Sequence, residues 1–333
     1  MIMQSASHRF IALLLLFSLP MGISVAADES VLVKGWLQKM IKAEHSVSYR
    51  GTFVYRHGDE MMAMNIVRAK GDHGMLEYLS SLSGSPGKVV RNPHLVRCLL
   101  SSSAMPLVSD NPQMTNEAEN ALRDRIDEIS RYYQLSLAEV SRVAGRMSQK
   151  VVITPRDEYR YGYQMWVDQQ SGLLLKSAHL AVGGEVLEQM IYSDIEIFND
   201  NIPADVRQML VENVVDKSQG HASLKSNAGN DVANNWEVKY IPDGFELANY
   251  QRRMNAQQAA YEHIVFSDGL AAVSVFIEKQ EESDFFNGVS QRGAMNAYLA
   301  VVDDYQVVVM GEVPLGTLEL IGKSVRHTPI VIH

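Results

Sequence analysis

The stretch "YRYGYQMWVDQQSGLLLKSAHL", residues 159–180, decides the fold. Tyr159, Tyr161, Tyr163, Met165 and Val167 alternate onto one face of a strand. Arg160, Gln164 and Asp168 take the other face, with Trp166 among them. Period-2 alternation marks a half-buried antiparallel strand. The chain turns through 168–172 and returns as Leu173-Leu174-Leu175, apolar on both sides. A two-faced return strand needs cover on its second face. That cover is a helix, another domain or a bound apolar ligand.

Working outward, the same period recurs. "YRGTFVYRHGDEMMAMNIVRA" reads as two strands joined across His57-Gly58-Asp59-Glu60. "HGMLEYLSSLSG" and "GKVVRNPHLVRCLL" extend the meander, with turns at 84–87 and Asn92-Pro93. "QKVVITP" and "EVLEQMIYSDIEIF" add strands, and 99–115 reads as a surface loop. Three helices punctuate the strands. Residues 29–45 repeat Leu32, Trp36, Leu37, Met40 and Ile41 at helical spacing. Residues 116–134 do the same with Ala118, Leu122, Ile126, Ile129 and Tyr133. Pro203 opens a third helix carrying Val206, Met209, Leu210 and Val214.

At 216–235, "DKSQGHASLKSNAGNDVANN", apolar residues thin out and serine, asparagine and glycine take over, which is linker chemistry. Alternation then resumes, with turns at 242–244, 267–269 and Asp303-Asp304, and Pro314 opens a last helix. Antiparallel strands with segregated helices make an α+β protein of two domains.

The first residues speak to location. His8 and Arg9 precede an apolar run from Phe10 to Leu19, and Ser24-Val25-Ala26-Ala27 follows. That is the layout of a signal peptide over 1–27, with cleavage after Ala27 and export of a soluble chain. The domains are then 28–215 and 236–333, joined by the linker 216–235. Cys98 is the single cysteine, so no internal disulfide forms, and its alternating context reads as a buried thiol. Net charge is −9 for the full chain, a poor match to nucleic acid.

Catalytic patterns are missing from the sequence. There is no G-x-S-x-G, H-E-x-x-H, C-x-x-C or glycine-rich phosphate loop. His57 and Asp59 flank Gly58 in a turn and read as solvated, and His179 reads as a structural strand histidine. No catalytic residue, metal or cofactor is expected. What stands out is aromatic and methionine-rich strand surface. Much of it is core, yet a curved sheet with such a lining can also enclose an acyl chain.

"YRGTFVYRHGD", "RYGYQMWVDQQSGLLLKS", "SDGLAAVSVFIE" and "GAMNAYLAVVDDYQVVVMGEVP" together resemble the MucB/RseB family of periplasmic negative regulators of the sigma-E envelope stress response. The resemblance runs from the first helix to the last and departs at Cys98-Leu99-Leu100-Ser101. It implies a larger LolA/LppX-like half-open antiparallel β-barrel whose concave face is plugged by helices, and a smaller β-meander domain closed by a helix. It implies a partner, the periplasmic domain of a transmembrane anti-sigma factor, shielded from its site-1 protease. It also implies an effector, lipopolysaccharide or an acyl lipid, that releases the partner. The lipid-binding candidates are Phe53, Tyr55, Met64, Tyr78, Tyr163 and Trp166, with Arg50 and Arg56 as phosphate contacts. The partner-binding candidates are Phe245, Tyr250, Tyr261, Phe266, Asp268, Phe276 and Phe285. The alternative is a periplasmic lipid or lipoprotein carrier. Self-association is left open.

Overall fold

The computed structural model describes residues 25–71, 74–84, 87–92, 95–100, 126–198, 201–212, 235–254, 260–279 and 286–328. The first element is α1 (Val25–Ser46). Five strands follow: β1 (Ser48–His57), β2 (Glu60–Gly71), β3 (Gly74–Ser81), β4 (Gly87–Asn92) and β5 (Leu95–Leu100). A helical stretch at 126–132, here α2, leads into β6 (Tyr133–Val143). Then come β7 (Arg146–Pro155), β8 (Gly162–Asp168), β9 (Leu174–Leu180), β10 (Val186–Phe198) and α3 (Ala204–Leu210). These strands form one ten-stranded antiparallel sheet in the order β5-β4-β3-β2-β1-β10-β9-β8-β7-β6. The order is linear and the sheet is not closed, so it wraps partway as an open barrel.

The cover demanded by the hairpin is α1. Tyr163, Val167, Val151 and Ile153 share one face and pack with Val33 and Leu37 of α1 and with Ile126 and Ile129 of α2. Burying each such aliphatic side chain contributes roughly 1.5–3 kcal/mol. The buried stripe of α1 runs through Val33, Leu37 and Ala43, whereas Leu32, which the spacing placed in it, is 54% exposed. Ala43 also touches the hairpin: a Cβ at Gly172, whose φ is +82°, would overlap Lys39 and press on Ala43. Glycine is therefore what lets the turn approach the helix this closely. On the opposite face α3 packs Val206 and Leu210 onto Val67, Val90 and Phe198.

Several boundaries differ from the sequence reading. Strand β8 starts at Gly162, so Tyr159–Tyr161 is not strand. Tyr133 begins β6 instead of ending a helix. Strand β6 itself escapes the alternation rule because it is an edge strand with exposed positions on both faces. Its hairpin turns on Ala144 (φ +47°) and Gly145 (φ +77°), without the Asn-Gly or Asp-Gly signal of such turns. Leu99 and Leu100 belong to β5, which shortens the expected loop. Pro203 is the N-cap of α3 and not its first helical residue. Residues 1–24 of the expected signal peptide, residues 216–234 of the expected linker, most of the expected helix 116–134 and Phe285 lie outside the described residues.

The smaller domain contains β11 (Trp236–Val238), β12 (Glu246–Met254), β13 (Ala260–Ser267), β14 (Ala272–Lys279), β15 (Gly288–Arg292), β16 (Met295–Val302), β17 (Tyr305–Gly311), α4 (Leu315–Ser324) and β18 (Val325–His327). Six strands form a sheet in the order β12-β13-β14-β17-β16-β15, and β11 pairs with β18. Ile264, Val273, Val275, Ile277, Val307 and Val309 point to one face, where Leu318 and Ile321 of α4 close the core. Strand β15 is exposed at every position, which is why no alternation announced it.

Candidate functional site

Five of the buried polar and charged residues, Arg160, Glu188, Asp268, Asn296 and Thr317, lie where the two domains meet. Arg160 is fully buried there. Its Nε donates to Asp268 Oδ2 at 2.9 Å, Nη1 pairs with Asp157, and Nη2 donates to the Asp243 carbonyl. Its guanidinium lies over the rings of Tyr132, Phe245 and Tyr133 at 4.7, 5.0 and 5.7 Å. Asp268 is equally enclosed. Tyr133 OH donates to Oδ2 at 2.8 Å, and the Leu270 and Ala271 amides donate to Oδ1 at 2.9 and 2.7 Å. A buried ion pair persists only when its remaining valences are met, as they are here. Burial and then the Asp268 charge push the Tyr133 hydroxyl far above its ordinary value, so it stays a donor.

This explains the first departure in the hairpin. The segment before Gly162 leaves the sheet to carry Arg160 into the neighbouring domain. Sequence alternation placed Arg160 on a polar face, and the structure makes it a domain tie.

A second contact centres on Glu188. Its carboxylate accepts from Tyr55 OH at 2.7 Å and from the Ala294 amide at 2.9 Å, and lies 3.1 Å from His57 Nδ1. His179 Nδ1 is 3.6 Å away. Burial pushes the Glu188 carboxyl up, but bonds from Tyr55, Ala294 and His57 outweigh it and hold the group below its ordinary value. His57, expected to be solvated in a turn, is thus a half-buried partner of this carboxylate. Gly293 (φ +61°) lets the β15–β16 turn sit here, because a Cβ would overlap His57 and Glu188. Nearby, Asn296 Nδ2 donates to Tyr161 OH at 2.8 Å, and Thr317 Oγ1 donates to the Tyr159 carbonyl at 3.0 Å. A cleft of about 410 Å³ borders this seam, lined by Glu158, Tyr159, Thr317, Leu320 and Lys323 among others.

Strand register sorts the eight lipid candidates onto two faces. Phe53, Tyr55, Met64 and Tyr163 share the α1 side, since Phe53 pairs with Met64, and His57 connects through Glu188 and His179 to Tyr163. Arg50, Arg56, Tyr78 and Trp166 share the other. Phe53 packs on Tyr192 at 5.6 Å, and Tyr55 is bonded to Glu188. Arg50 is already paired with Glu196 and Asp205 at 2.6 and 2.9 Å. Arg56 donates to the Gly58 and Val186 carbonyls at 3.2 and 3.0 Å. Tyr78 packs beside α3, and Trp166 sits between lysines.

The partner candidates also divide. Phe245 and Phe266 are core, and Tyr250 packs against that core while its hydroxyl donates to Glu262. Asp268 is the domain tie. Tyr261 and Phe276 lie on the sheet face away from α4, where Phe276 stacks on His263 at 4.2 Å. Reading the sequence missed Arg160, Glu188, Gly293 and Asn296. The usable signals were a charged residue inside a tyrosine-rich run and a glycine before a strand. Neither names its partner more than 100 residues away. Among the described residues no group of three or more His, Cys, Asp or Glu could hold a metal.

Comparison with known proteins covers both domains. The MucB/RseB N-terminal domain family matches residues 33–213, and the MucB/RseB C-terminal domain family matches residues 230–326. The chain is 30% identical over 324 residues to the sigma factor AlgU regulatory protein MucB of Pseudomonas aeruginosa, covering 94% of this chain and 96% of that one. It is 24% identical over 303 residues to the sigma-E factor regulatory protein RseB of Haemophilus influenzae, covering 91% and 94%. Among solved structures it resembles MucB in complex with MucA(peri), at 26% identity and TM-score 0.65, covering 90% of this chain and 100% of that one. A Pseudomonas aeruginosa MucA/MucB complex gives 27% identity and TM-score 0.66, covering 90% and 99%.

Proposed function

Because this chain belongs to the MucB/RseB family, we propose that it is an exported sigma-factor regulator that binds the periplasmic segment of a membrane-spanning anti-sigma factor. The observation that carries this reading is the match, through both domains in order, to a relative solved with MucA(peri). Binding shields the anti-sigma factor from its site-1 protease, and the sigma factor stays sequestered. The physics is simple. A protease takes its substrate as an extended strand, and a regulator holding that strand removes it from reach. The protein acts by binding and catalyses no step.

A lipopolysaccharide or acyl-lipid signal releases the partner. Release requires that lipid binds the free regulator better than the complex, and the coupling is reciprocal. The α1-side residues Phe53, Tyr55, Met64 and Tyr163 favour an acyl chain on that face. Tyr261 and Phe276 are the partner candidates free of the small domain's core. The chain works in the periplasm after cleavage behind Ala27.

The test is calorimetric titration of residues 28–333 with the anti-sigma factor's periplasmic segment, with and without purified lipopolysaccharide. Stoichiometric binding that weakens with lipopolysaccharide is expected. No binding in either condition refutes the proposal.

A further inference from the structure

The sheet face away from α1 carries a row of cross-strand neighbours: Lys150 pairs with Trp166, Trp166 with Lys176, Lys176 with Ile191, and Ile191 with Val54. Two ammonium groups lie over the one indole, Lys150 Nζ at 5.1 Å and Lys176 Nζ at 4.2 Å from its centroid. The next row on the same face runs Gln164, Ala178, Gln189, Arg56 and Met61. Neither row contains a carboxylate. Among the described residues, the carboxylate within 4.0 Å of either ammonium is Glu139, 4.0 Å from Lys150 and itself 78% exposed. Burial and the neighbouring Lys150 charge both pull the Lys176 ammonium below its ordinary value. Two like charges held together over one ring are relieved by an anion arriving between them.

The surroundings oppose such a patch by chance. The chain carries a net charge of −9, and the same face holds Asp168, Asp194 and Glu196 beyond these rows, yet the two rows themselves present Lys150, Lys176 and Arg56, while Asp168 and Glu196 are matched by Arg146 and Arg50. Met61 stands 66% exposed beside Arg56, an apolar group on the rim of the cationic rows. Trp166 is itself buried, 8% exposed beneath the two lysines, and the Lys150 side chain is 17% exposed, so what this face offers to solvent is cationic groups with one exposed apolar side chain, the chemistry by which basic groups meet anionic lipid. We propose that this face docks the protein onto an anionic membrane surface, with Lys150, Lys176 and Arg56 meeting lipid phosphates and Met61 entering the headgroup layer. The occupant is a bilayer because the cations are spread across two rows with apolar groups between them, and a single small anion would use only the lysine pair. The inference stands apart from the regulator reading: it concerns a bilayer surface met by the rows away from α1, whereas that reading concerns a peptide segment and an acyl chain on the α1 side.

The experiment is vesicle co-sedimentation of residues 28–333. Vesicles of phosphatidylglycerol with phosphatidylethanolamine are compared with pure phosphatidylcholine. Parallel samples contain soluble inorganic phosphate or poly-glutamate at matched charge. Binding to the anionic vesicles is expected, and Lys150→Gln and Lys176→Gln each weaken it about fivefold. The Lys150→Arg/Lys176→Arg variant retains it. Thermal unfolding checks that every variant is folded, and Arg56→Gln, which leaves the indole pair intact, gives an independent loss of similar size. Equal binding to phosphatidylcholine, no binding to anionic vesicles, or binding indifferent to these charges overturns the proposal. Full competition by inorganic phosphate would identify a small-anion site instead, and full competition by poly-glutamate an acidic protein partner. Each of those results also overturns the membrane assignment.

Discussion

Arg160 Nε lies 2.9 Å from Asp268 Oδ2, and neither side chain is reachable by solvent. One belongs to the ten-stranded sheet's domain and the other to a turn of the six-stranded sheet. Around them stand Tyr132, Tyr133 and Phe245. The pair orients the domains more than it stabilises them, because desolvation consumes most of the Coulomb energy.

Breaking it one-sidedly is costly. Asp268→Ala leaves the buried guanidinium with Asp157 as its remaining counter-charge and its Nε unpaired, and is expected to lose about 3 kcal/mol, the low end for a broken buried pair. Denaturant unfolding followed by two probes, one per domain, measures this. Coincident transitions should separate in the variant. A loss below about 1 kcal/mol, the value of an exposed pair, contradicts the buried-tie description.

Acid weakens the second contact. The Glu188 carboxyl sits below its ordinary value in the folded protein, with the Ala294 amide of the other domain among its donors. A depressed folded value means the stabilisation is present above the unfolded value, near pH 4.5, and is lost as pH falls through the folded one. Asp168 acts in the same direction: burial raises it, and bonds from Arg146 and Ser171 outweigh that. Glu188→Gln should therefore be less stable than the parent at neutral pH, with the gap closing in acid. Unfolding midpoints from pH 7 to pH 3 test this, and a constant gap counts against it.

Gly293 and Gly58 share nearly the same backbone angle, φ +61° and +58°, but only Gly293 faces another domain. Gly58→Ala should cost only strain, about 1 kcal/mol. Gly293→Ala adds overlap with His57 and Glu188 and should cost more. It should also expose the Ala294 amide to hydrogen exchange. Equal costs for the two substitutions would show that the turn is not seated as described.

Two phenylalanines separate stability from recognition. Phe266→Ala empties part of the small domain's core and should destabilise by about 3–5 kcal/mol. Phe276→Ala, on the face away from α4, should cost less stability but weaken binding of the anti-sigma segment in calorimetry. Unchanged affinity for folded Phe276→Ala removes that face from the partner site.

Much of the architecture was legible along the chain. Period-2 runs and Pro-opened helices located most strands, α3 and α4, because those elements bury one face and leave the other wet. The exceptions have physical causes. Edge strands β6 and β15 bury no consistent face and so leave no alternation. Tyr159–Tyr161 alternates like a strand but spends its side chains on another domain.

The site was less legible. Residue type marked Tyr163, Trp166 and Phe276 as apolar and aromatic, but only register assigns their faces. Four lipid candidates fall on the α1 side and four on the other. Local pattern along the chain determined the two sheet domains and the elements that build them, because hydrophobic period is a property of neighbours in sequence. Tertiary structure alone decided that Arg160 finds Asp268, that Glu188 receives the Ala294 amide and that Lys150 and Lys176 share one indole. Charge compensation is a property of neighbours in space, and nothing in a residue's own sequence surroundings names the partner that will lie across a sheet or a domain boundary.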